Sequence, residues 1–176
     1  RADIPLRREL KAQRAAHLHG PEISIIVPLY NTPAKLFDEM LQSVVRQTYT
    51  NWELVLVDAS DADKRLESRL PKAVPGGIVY EPTENGGIAL NTTRGFALAH
   101  GEYITLLDHD DVLYPNALFE VVQTIQNTGA NFVYSDEIVL SADLKELGGY
   151  HFKPDFAPDY LRGVNFITHL AVFSRP

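Results

Sequence analysis

Short apolar runs alternate along the chain with longer segments in which apolar residues recur every three or four positions. The apolar runs cover residues 23–27, 52–57, 78–80, 103–107, 132–134 and 166–173. Continuous runs of this length are typical of strands that are buried on both faces of a sheet. The recurring spacing predicts amphipathic helices over 33–46, 88–100 and 115–126. Alternating strands and helices predict an α/β fold, with a mostly parallel central sheet and helices on both faces.

The two ends of the chain differ from this alternating centre. Residues 1–21 are basic and have a thin apolar face, so we expect an N-terminal helix and linker that Gly20-Pro21 ends. Residues 22–176 are then predicted to form the domain. Because the chain stops directly after an apolar run, we expect this domain to be truncated at its C-terminal end.

Shorter features complete the secondary-structure prediction. Thr32 is expected to cap the helix that follows it, and Gly129 to end the last long helix. A helix over 61–70 is one interpretation of the residues after the second strand. We also expect a loop over 140–150 and a short helix over 158–163.

An acidic cluster directly follows the predicted strand over 103–107. Asp108, Asp110 and Asp111 are three carboxylates within four positions. Two carboxylates about 5 Å apart repel each other by roughly 1 kcal/mol or more at intermediate dielectric. Mg²⁺ and Mn²⁺ prefer carboxylate oxygens, so a bound cation would explain the cluster. The alternative is a solvated acidic turn that caps the next helix.

Two other predicted strands also end in carboxylates. Asp58 follows the strand over 52–57, and Asp136 and Glu137 follow the strand over 132–134. The carboxyl ends of parallel strands lie at one edge of a sheet, where ligands of open α/β folds bind. Asp58 alone could instead cap a helix. The coincidence of three acidic strand ends predicts a metal-dependent site for a phosphorylated ligand.

Other side chains near the same edge suit a nucleotide. Tyr30 lies in the loop after the first strand, where an aromatic ring can stack on a flat base. Asn85-Gly86-Gly87 precedes a predicted helix and allows the backbone to approach an anion closely. Arg94 lies on the first turns of that helix, where it could bind a phosphate or instead form a surface salt bridge.

Composition narrows the classes of function. The 176 residues carry a formal net charge of −7, which argues against nucleic acid or an anionic membrane surface as the main partner. The absence of cysteine excludes disulfides, a thiol nucleophile and cysteine-ligated zinc. No apolar run approaches the roughly 20 residues of a transmembrane helix, and the N-terminus lacks the apolar core of a signal peptide. We therefore expect a cytoplasmic location, with the inner face of the membrane as an alternative.

The order of these motifs resembles that of the inverting family 2 glycosyltransferases, which have a nucleotide-sugar-binding, Rossmann-like fold of the A type. The matching segments are Val27-Pro28-Leu29-Tyr30-Asn31, residues 43–49, residues 52–58, the stretch from Asn85 through Asn91 and Arg94 to Gly95, and Leu107-Asp108-His109-Asp110-Asp111. The last of these resembles the family's Asp-x-Asp motif. The resemblance covers about residues 22–140 and, more loosely, residues 152–155.

The resemblance implies transfer of a sugar from a nucleotide diphosphate sugar, with a UDP-sugar as the expected donor. The acceptor would be a hydroxyl of a saccharide or glycan-lipid in surface polysaccharide or glycan synthesis. Asp110 would bind Mn²⁺ or Mg²⁺ with Asp108 as a further ligand, and Asp136 and Glu137 would lie on the acceptor side. Other domains of a longer chain would be further partners. The donor nucleotide would contact Pro28, Tyr30, Asp58, Asn85, Gly87, Arg94 and Asp108.

Several features depart from the family pattern. Asp58-Ala59-Ser60-Asp61 replaces the usual Asp-Asp-Gly-Ser, and His109 replaces a small residue. The family's acidic catalytic base lies in a motif that we expect beyond Pro176. Asp155 and His169 could face the acceptor, as could the acidic residues after the fifth strand, but none of them matches that motif.

Two other functions remain open on the sequence. Residues 108–112 also fit the Asp-x-Asp-x-Val pattern of haloacid-dehalogenase-like phosphatases, with Asp108 as nucleophile and Asp110 as acid. That pattern normally closes the first strand of its fold, whereas three predicted strands precede it here. The other alternative is a donor-binding, non-catalytic domain of a larger polymerase.

Overall fold

A six-stranded sheet forms the centre of the structure, a computed structural model that describes residues 6–141 and 143–175. Its strands are β1 (Ile23–Leu29), β2 (Trp52–Asp58), β3 (Ile78–Pro82), β4 (Tyr103–Leu106), β5 (Phe132–Tyr134) and β8 (Ala171–Ser174). They lie in the order β3-β2-β1-β4-β8-β5. The first four in chain order pair in parallel, and β8 is antiparallel to both β4 and β5. The predicted mostly parallel α/β sheet is therefore confirmed.

Helices cover both faces of this sheet. They are α1 (Arg7–Ala16), α2 (Ala34–Val45), α3 (Ile88–Leu98), α4 (Ala117–Thr128) and α5 (Pro158–Gly163). The larger core joins α2 and α4 to one face, and a smaller core that includes Ile26 and Val55 packs against α3 on the other. A Cβ on Gly95 of α3 would lie 2.3 Å from the Cγ2 of Ile26, so glycine permits this close packing of helix on strand.

The alternation of strand side chains explains the two cores. Ile23, Ile25 and Val27 of β1 belong to the larger core, whereas Ile26 belongs to the smaller one. All four side chains are fully buried. A continuous apolar run is therefore what a central strand with helices on both faces requires.

The direction of the strands places several loops at one edge. β1 to β4 all end there, and β5 also ends there because the antiparallel β8 lies between it and β4. β8 begins at this same edge, so the residues that precede Ala171 lie beside the residues that follow β4. We call this side of the sheet the carboxyl edge.

Two predictions for the C-terminal third are wrong. The predicted loop over 140–150 is largely a hairpin of β6 (Glu137–Leu140) and β7 (Leu147–His151), whose glycine-rich second strand lacks an apolar alternation. The predicted strand over 166–173 is only β8. Phe166, Ile167 and Leu170 are buried, but they lie in a loop, so their apolar character reports burial and not strand pairing.

Three local predictions also need correction. Residues 61–70 form two short 3-10 turns and not a helix. Thr32 does not cap α2, whose capping residue is Pro33, and the buried Thr32 hydroxyl has no partner among the described residues. The N-terminal helix ends at Ala16, before the predicted Gly20-Pro21, because His17 adopts a left-handed conformation. Residues 1–5 of the predicted N-terminal segment lie outside the described residues.

A buried carboxylate holds the opposite, amino edge of the sheet together. Glu53 of β2 accepts hydrogen bonds from the Ser24 hydroxyl at 2.5 Å and from the backbone amides of His100 and Gly101 at 2.5 and 3.2 Å. Burial by itself would raise the pKa of Glu53, but these hydrogen bonds and the His100 imidazole together hold it below its ordinary value of 4.5. The carboxylate thus joins β1, β2 and the turn that leads into β4.

We expect Glu53→Gln to lower the free energy of unfolding by about 1–3 kcal/mol at pH 7, because an amide cannot accept all of these bonds. A lowered pKa stabilises the folded state above the ordinary pKa, and this contribution is lost as the pH falls through the folded-state pKa. The difference between wild type and variant should therefore shrink below pH 4.5. Urea unfolding at pH 7 and below pH 4.5 measures the free energy of unfolding of both proteins. Glu102→Gln, an exposed neighbour, is the control, and equal losses in the two variants would contradict the role of Glu53.

Candidate metal and donor site

Two aspartates and a histidine meet at the carboxyl edge. The Nε2 of His169 lies 3.3 Å from the Oδ2 of Asp108 and 3.8 Å from the Oδ2 of Asp111. One potential ligand atom from each residue lies within 4.8 Å of the others. Two carboxylates with one imidazole form a donor set that suits a divalent cation such as Mn²⁺. We call these three residues the Asp-Asp-His cluster.

The Asp-Asp-His cluster concentrates negative charge. Burial raises the pKa of Asp111, and His169 opposes this shift, while Asp108, Asp110 and Glu137 raise the pKa further. All of these carboxyl groups are therefore close enough to repel one another electrostatically. A divalent cation placed among them would relieve the repulsion, which is the fit expected of a metal site.

Asp110, which the sequence predicted as the main metal ligand, is not one of the three grouped residues. The chain turns after β4, with the Asp111 amide bonded to the Asp108 carbonyl at 3.2 Å. This turn brings Asp111 to the side of Asp108 that faces His169. The prediction that Asp110 binds the metal stays a prediction.

His169 enters the site from a distant part of the sequence. It lies two residues before β8, and the antiparallel pairing of β8 with β4 brings it beside the end of β4. Sequence reasoning considered His169 only as a residue that could face the acceptor. The strand predicted over 166–173 would have placed this side chain within the sheet. Its actual position, in a loop at the carboxyl edge, therefore could not be predicted.

Lys153 braces the loop that carries His169. Its ammonium group donates hydrogen bonds to the backbone carbonyls of Ile167, at 3.3 Å, and His169. Its own backbone amide donates to the Oδ1 of Asp136 at 2.8 Å. Burial lowers the pKa of Lys153, against the opposing effect of Glu137 and Asp136. Lys153 therefore ties the loop before β8 to the segment that follows β5.

The loops after β1 and β2 form the other half of the edge. Asn31 has a left-handed backbone with φ 50°, and its amide bonds to the Ser60 hydroxyl at 2.8 Å. Its side chain exchanges two hydrogen bonds of 3.1 Å with Asp61. Tyr30, held by this loop, leaves 51% of its surface exposed, as a stacking residue requires. Pro28 lies within β1, opposite Val57 of β2.

Asp58 is fully buried at the end of β2. Its two oxygens accept hydrogen bonds from the Ser60 amide at 3.0 Å, the Leu66 amide at 3.2 Å and the Tyr80 hydroxyl at 2.6 Å. Burial and the bond to Asp58 raise the pKa of Tyr80. In this structure Asp58 shapes the loop beneath the predicted nucleotide site. Its direct contact with a base stays a prediction.

The segment before α3 is held by side-chain amides. The buried Asn91 accepts from the Gly86 amide at 3.2 Å and donates to the Oδ1 of Asn85 at 3.1 Å. Gly87 caps α3 with φ 83°, a backbone conformation that favours glycine. Arg94 donates to the Glu84 carbonyl at 2.6 Å and to the Oδ1 of Asn91 at 3.3 Å. Among the described residues it forms no ion pair with a carboxylate, so the predicted alternative of a surface salt bridge is wrong there.

A cavity of about 550 Å³ opens beside the Asp-Asp-His cluster. Asp111 and His169 line it, together with the predicted acceptor residues Asp136 and Glu137. Glu137 pairs with the imidazole of His151 at 2.5 Å across the hairpin of β6 and β7. The structure thus brings Asp108, Asp136 and Glu137 to one region of the carboxyl edge, while Asp58 lies two strands away in its own network.

The model of the protein family "Glycosyl transferase family 2" matches residues 24–157. The matched range includes every strand that ends at the carboxyl edge and most of the site described above. The chain belongs to glycosyl transferase family 2.

Relatives of this glycosyltransferase chain include the O-antigen biosynthesis protein RfbC of Myxococcus xanthus. The two are 32% identical over 159 residues, which cover 88% of this chain and 12% of RfbC. The structure is similar to that of S. aureus TarS 1-349 in complex with UDP-GlcNAc, with a TM-score of 0.56 and 25% identity, over 64% of this chain and 33% of the other. It is also similar to the mannosyltransferase PcManGT from Pyrobaculum calidifontis in complex with GDP-Man and Mn²⁺. The TM-score is 0.55 at 26% identity, over 70% and 36% of the two chains.

The chain therefore spans only a part of the length of these relatives. Membership of this family removes the phosphatase alternative, because the pattern at residues 108–112 falls where the glycosyltransferase family model matches. None of the helices in the described part of the chain is long and apolar enough to cross a membrane.

We expect Asp111→Asn and His169→Gln each to weaken Mn²⁺ binding about tenfold or more, because each removes a ligand atom of the Asp-Asp-His cluster. Asp110→Asn should weaken it less. Titration of Mn²⁺ followed by electron paramagnetic resonance measures the affinities. Asp159→Asn, whose side chain is 92% exposed, is the matched control. A larger loss in Asp110→Asn than in Asp111→Asn would assign the metal to the residue predicted from the motif.

Lys153→Met should weaken Mn²⁺ binding several-fold without removing any ligand atom, because the loop that carries His169 loses two hydrogen bonds. Lys153→Arg, which keeps a donor cation, should recover part of the affinity. The same resonance titration checks both variants, and thermal unfolding shows whether they fold. If Mn²⁺ affinity in Lys153→Met equals that of the wild type, Lys153 does not position His169.

Proposed function

We propose that this chain is the donor-binding part of a metal-dependent, inverting glycosyltransferase that acts in surface polysaccharide or glycan synthesis. The observation that carries the proposal is that the Asp-Asp-His cluster lies at the same sheet edge as Tyr30 and the segment before α3. The two aspartates of the cluster and Tyr30 lie within the family 2 match, which ends at residue 157, before His169. The O-antigen biosynthesis relative supports the polysaccharide role.

The donor is a nucleotide diphosphate sugar, and we propose a UDP-sugar. Tyr30 offers an exposed ring on which a base can stack, above the loop that Asp58 supports. Gly87 caps the start of α3, and the guanidinium of Arg94, on the second turn, reaches back to the Glu84 carbonyl before this helix. Backbone amides and a guanidinium suit phosphate oxygens. The TarS complex with UDP-GlcNAc supports a uridine nucleotide, whereas the mannosyltransferase complex holds GDP-Man.

The proposed cofactor is Mn²⁺, with Mg²⁺ as the alternative. Asp108, Asp111 and His169 would hold it, and Asp110 is the ligand predicted from the motif. An imidazole nitrogen favours Mn²⁺ over Mg²⁺, which takes almost only oxygen ligands. When bound, the cation would offset the charge that develops on the departing diphosphate.

The reaction joins the acceptor hydroxyl oxygen to the anomeric carbon of the donor sugar. The bond from that carbon to the diphosphate breaks on the opposite face, which inverts the configuration, and a base takes the hydroxyl proton. Asp136 and Glu137 line the cavity beside the Asp-Asp-His cluster and would lie on the acceptor side of the site. We assign the base to neither of them, because Asp136 accepts the Lys153 amide and Glu137 pairs with His151.

Binding of nucleotide diphosphates tests the proposed donor site. UDP should raise the melting temperature of the chain more in the presence of Mn²⁺ than in its absence, and more than GDP, CDP or ADP do. Tyr30→Ala should weaken UDP binding about tenfold in calorimetry, since stacking of a base on an aromatic ring contributes roughly 1–3 kcal/mol. Tyr30→Phe keeps the ring and is the matched control.

A chain that binds no nucleotide diphosphate with Mn²⁺ would refute the donor site. A preference for GDP would change the donor and leave the site intact. Transfer itself is measured as donor-dependent release of UDP by the longer protein. Tight binding of UDP without any such release would favour the non-catalytic, donor-binding alternative.

A further inference from the structure

Two aromatic rings stack on each other at the end of the hairpin. Tyr150 of β7 and Phe152, two residues later, stack with centroids 5.5 Å apart and planes only 9° from parallel. Residues two apart on an extended chain project to the same side. Their exposed fractions are 50% and 61%, although large apolar side chains are normally buried. Both rings line the cavity beside the Asp-Asp-His cluster.

The other walls of this cavity carry a different chemistry. Asp136 and Glu137 contribute carboxylates at the base of the hairpin, and Asp111 and His169 contribute the side that adjoins the metal cluster. The helix α4 supplies the apolar side chains of Ala117 and Val121 and the polar side chains of Glu120 and Thr124. The cavity therefore joins a flat aromatic surface to a group of hydrogen-bond acceptors.

A pyranose ring has the matching surfaces. Its axial C–H groups form an apolar face with a slight positive charge, which packs against the negative face of an aromatic ring. Its hydroxyls project around the rim, where carboxylates accept their hydrogen bonds. A flat aromatic wall with carboxylates at its edge binds both parts of the ring at once.

We infer that this cavity binds the acceptor as an uncharged saccharide, whose ring packs on Tyr150 and whose hydroxyls bond to Asp136 and Glu137. The cavity volume of about 550 Å³ leaves room for more than a single small ligand, so the end of an oligosaccharide fits. This inference rests on the proposed function, because it takes the Asp-Asp-His cluster to mark the donor's diphosphate.

Charge decides which saccharides fit. The cavity wall carries the carboxylates of Asp111, Glu120, Asp136 and Glu137. The nearby ammonium of Lys153 is directed to backbone carbonyls. The imidazole of His151 pairs with Glu137. No lysine or arginine is among the described residues that line the cavity, so an acceptor with a carboxylate or phosphate at this point would meet like charge. The same argument disfavours a polyprenyl phosphate head group as the ligand of this cavity.

An array of bacterial oligosaccharides, neutral and anionic, tests the inference on the 176-residue chain with Mn²⁺ and UDP. We expect binding to neutral members, and then measure the affinity of the strongest one by calorimetry. Tyr150→Ala should weaken it roughly tenfold, as expected for the loss of one stacking surface. Tyr150→Phe, which keeps the ring, should bind like the wild type. Binding of the chain to vesicles that contain polyprenyl phosphate is measured in parallel, to test the alternative ligand.

The outcomes separate this inference from the proposed function. UDP binding by Tyr150→Ala should equal that of the wild type, which also shows that the variant folds. The saccharide subsite is refuted if UDP binds but no neutral saccharide does. It is also refuted if Tyr150→Ala binds saccharide as tightly as the wild type, or if anionic glycans or the vesicles bind more tightly than neutral saccharides. If UDP itself fails to bind, the proposed function fails first and the inference falls with it.

Discussion

The parallel alignment of β1 to β4 is the constraint on which the site depends. Parallel strands bring every strand end to one edge, so residues far apart in sequence share a surface without any loop having to fold far back. β5 joins the same edge only because β8 runs antiparallel between it and β4. That single reversed strand also carries His169 to the end of β4, so one feature of topology completes both the metal cluster and the cavity.

Buried and half-exposed carboxylates have different roles in this molecule. Glu53 and Asp58 are buried, and each has its oxygens bonded to backbone amides and a hydroxyl from neighbouring segments. A buried carboxylate with such partners fixes the positions of the loops around it. Asp108 and Asp111 are about half exposed, and among the described residues they face other carboxylates and one histidine. Charge that is not neutralised within the fold is available to a ligand.

The sequence allowed prediction of the sheet, its direction and the residues at its edge, because those follow from local patterns. Apolar runs predicted the buried strands, and the carboxylates that follow these runs predicted which residues lie at the carboxyl edge. Asp111 and His169 were harder to predict, because their meeting depends on β8, whose direction is a long-range property. The apolar character of residues 166–170 also led to the wrong prediction of a strand there, since buried loop residues and buried strand residues are equally apolar. The hairpin of β6 and β7 lacked any periodic signal, so only backbone pairing reveals it.

The hairpin matters because it turns an edge into a cavity. On an open surface in bulk water, hydrogen bonds from a ligand to Asp136 and Glu137 would compete with solvent. The hairpin adds Tyr150 and Phe152 to the cavity wall that also carries those carboxylates beside the Asp-Asp-His cluster. Lys153 then joins the end of the hairpin to the loop of His169. A displacement of the hairpin would therefore move His169, a proposed metal ligand, because Lys153 bonds to both segments.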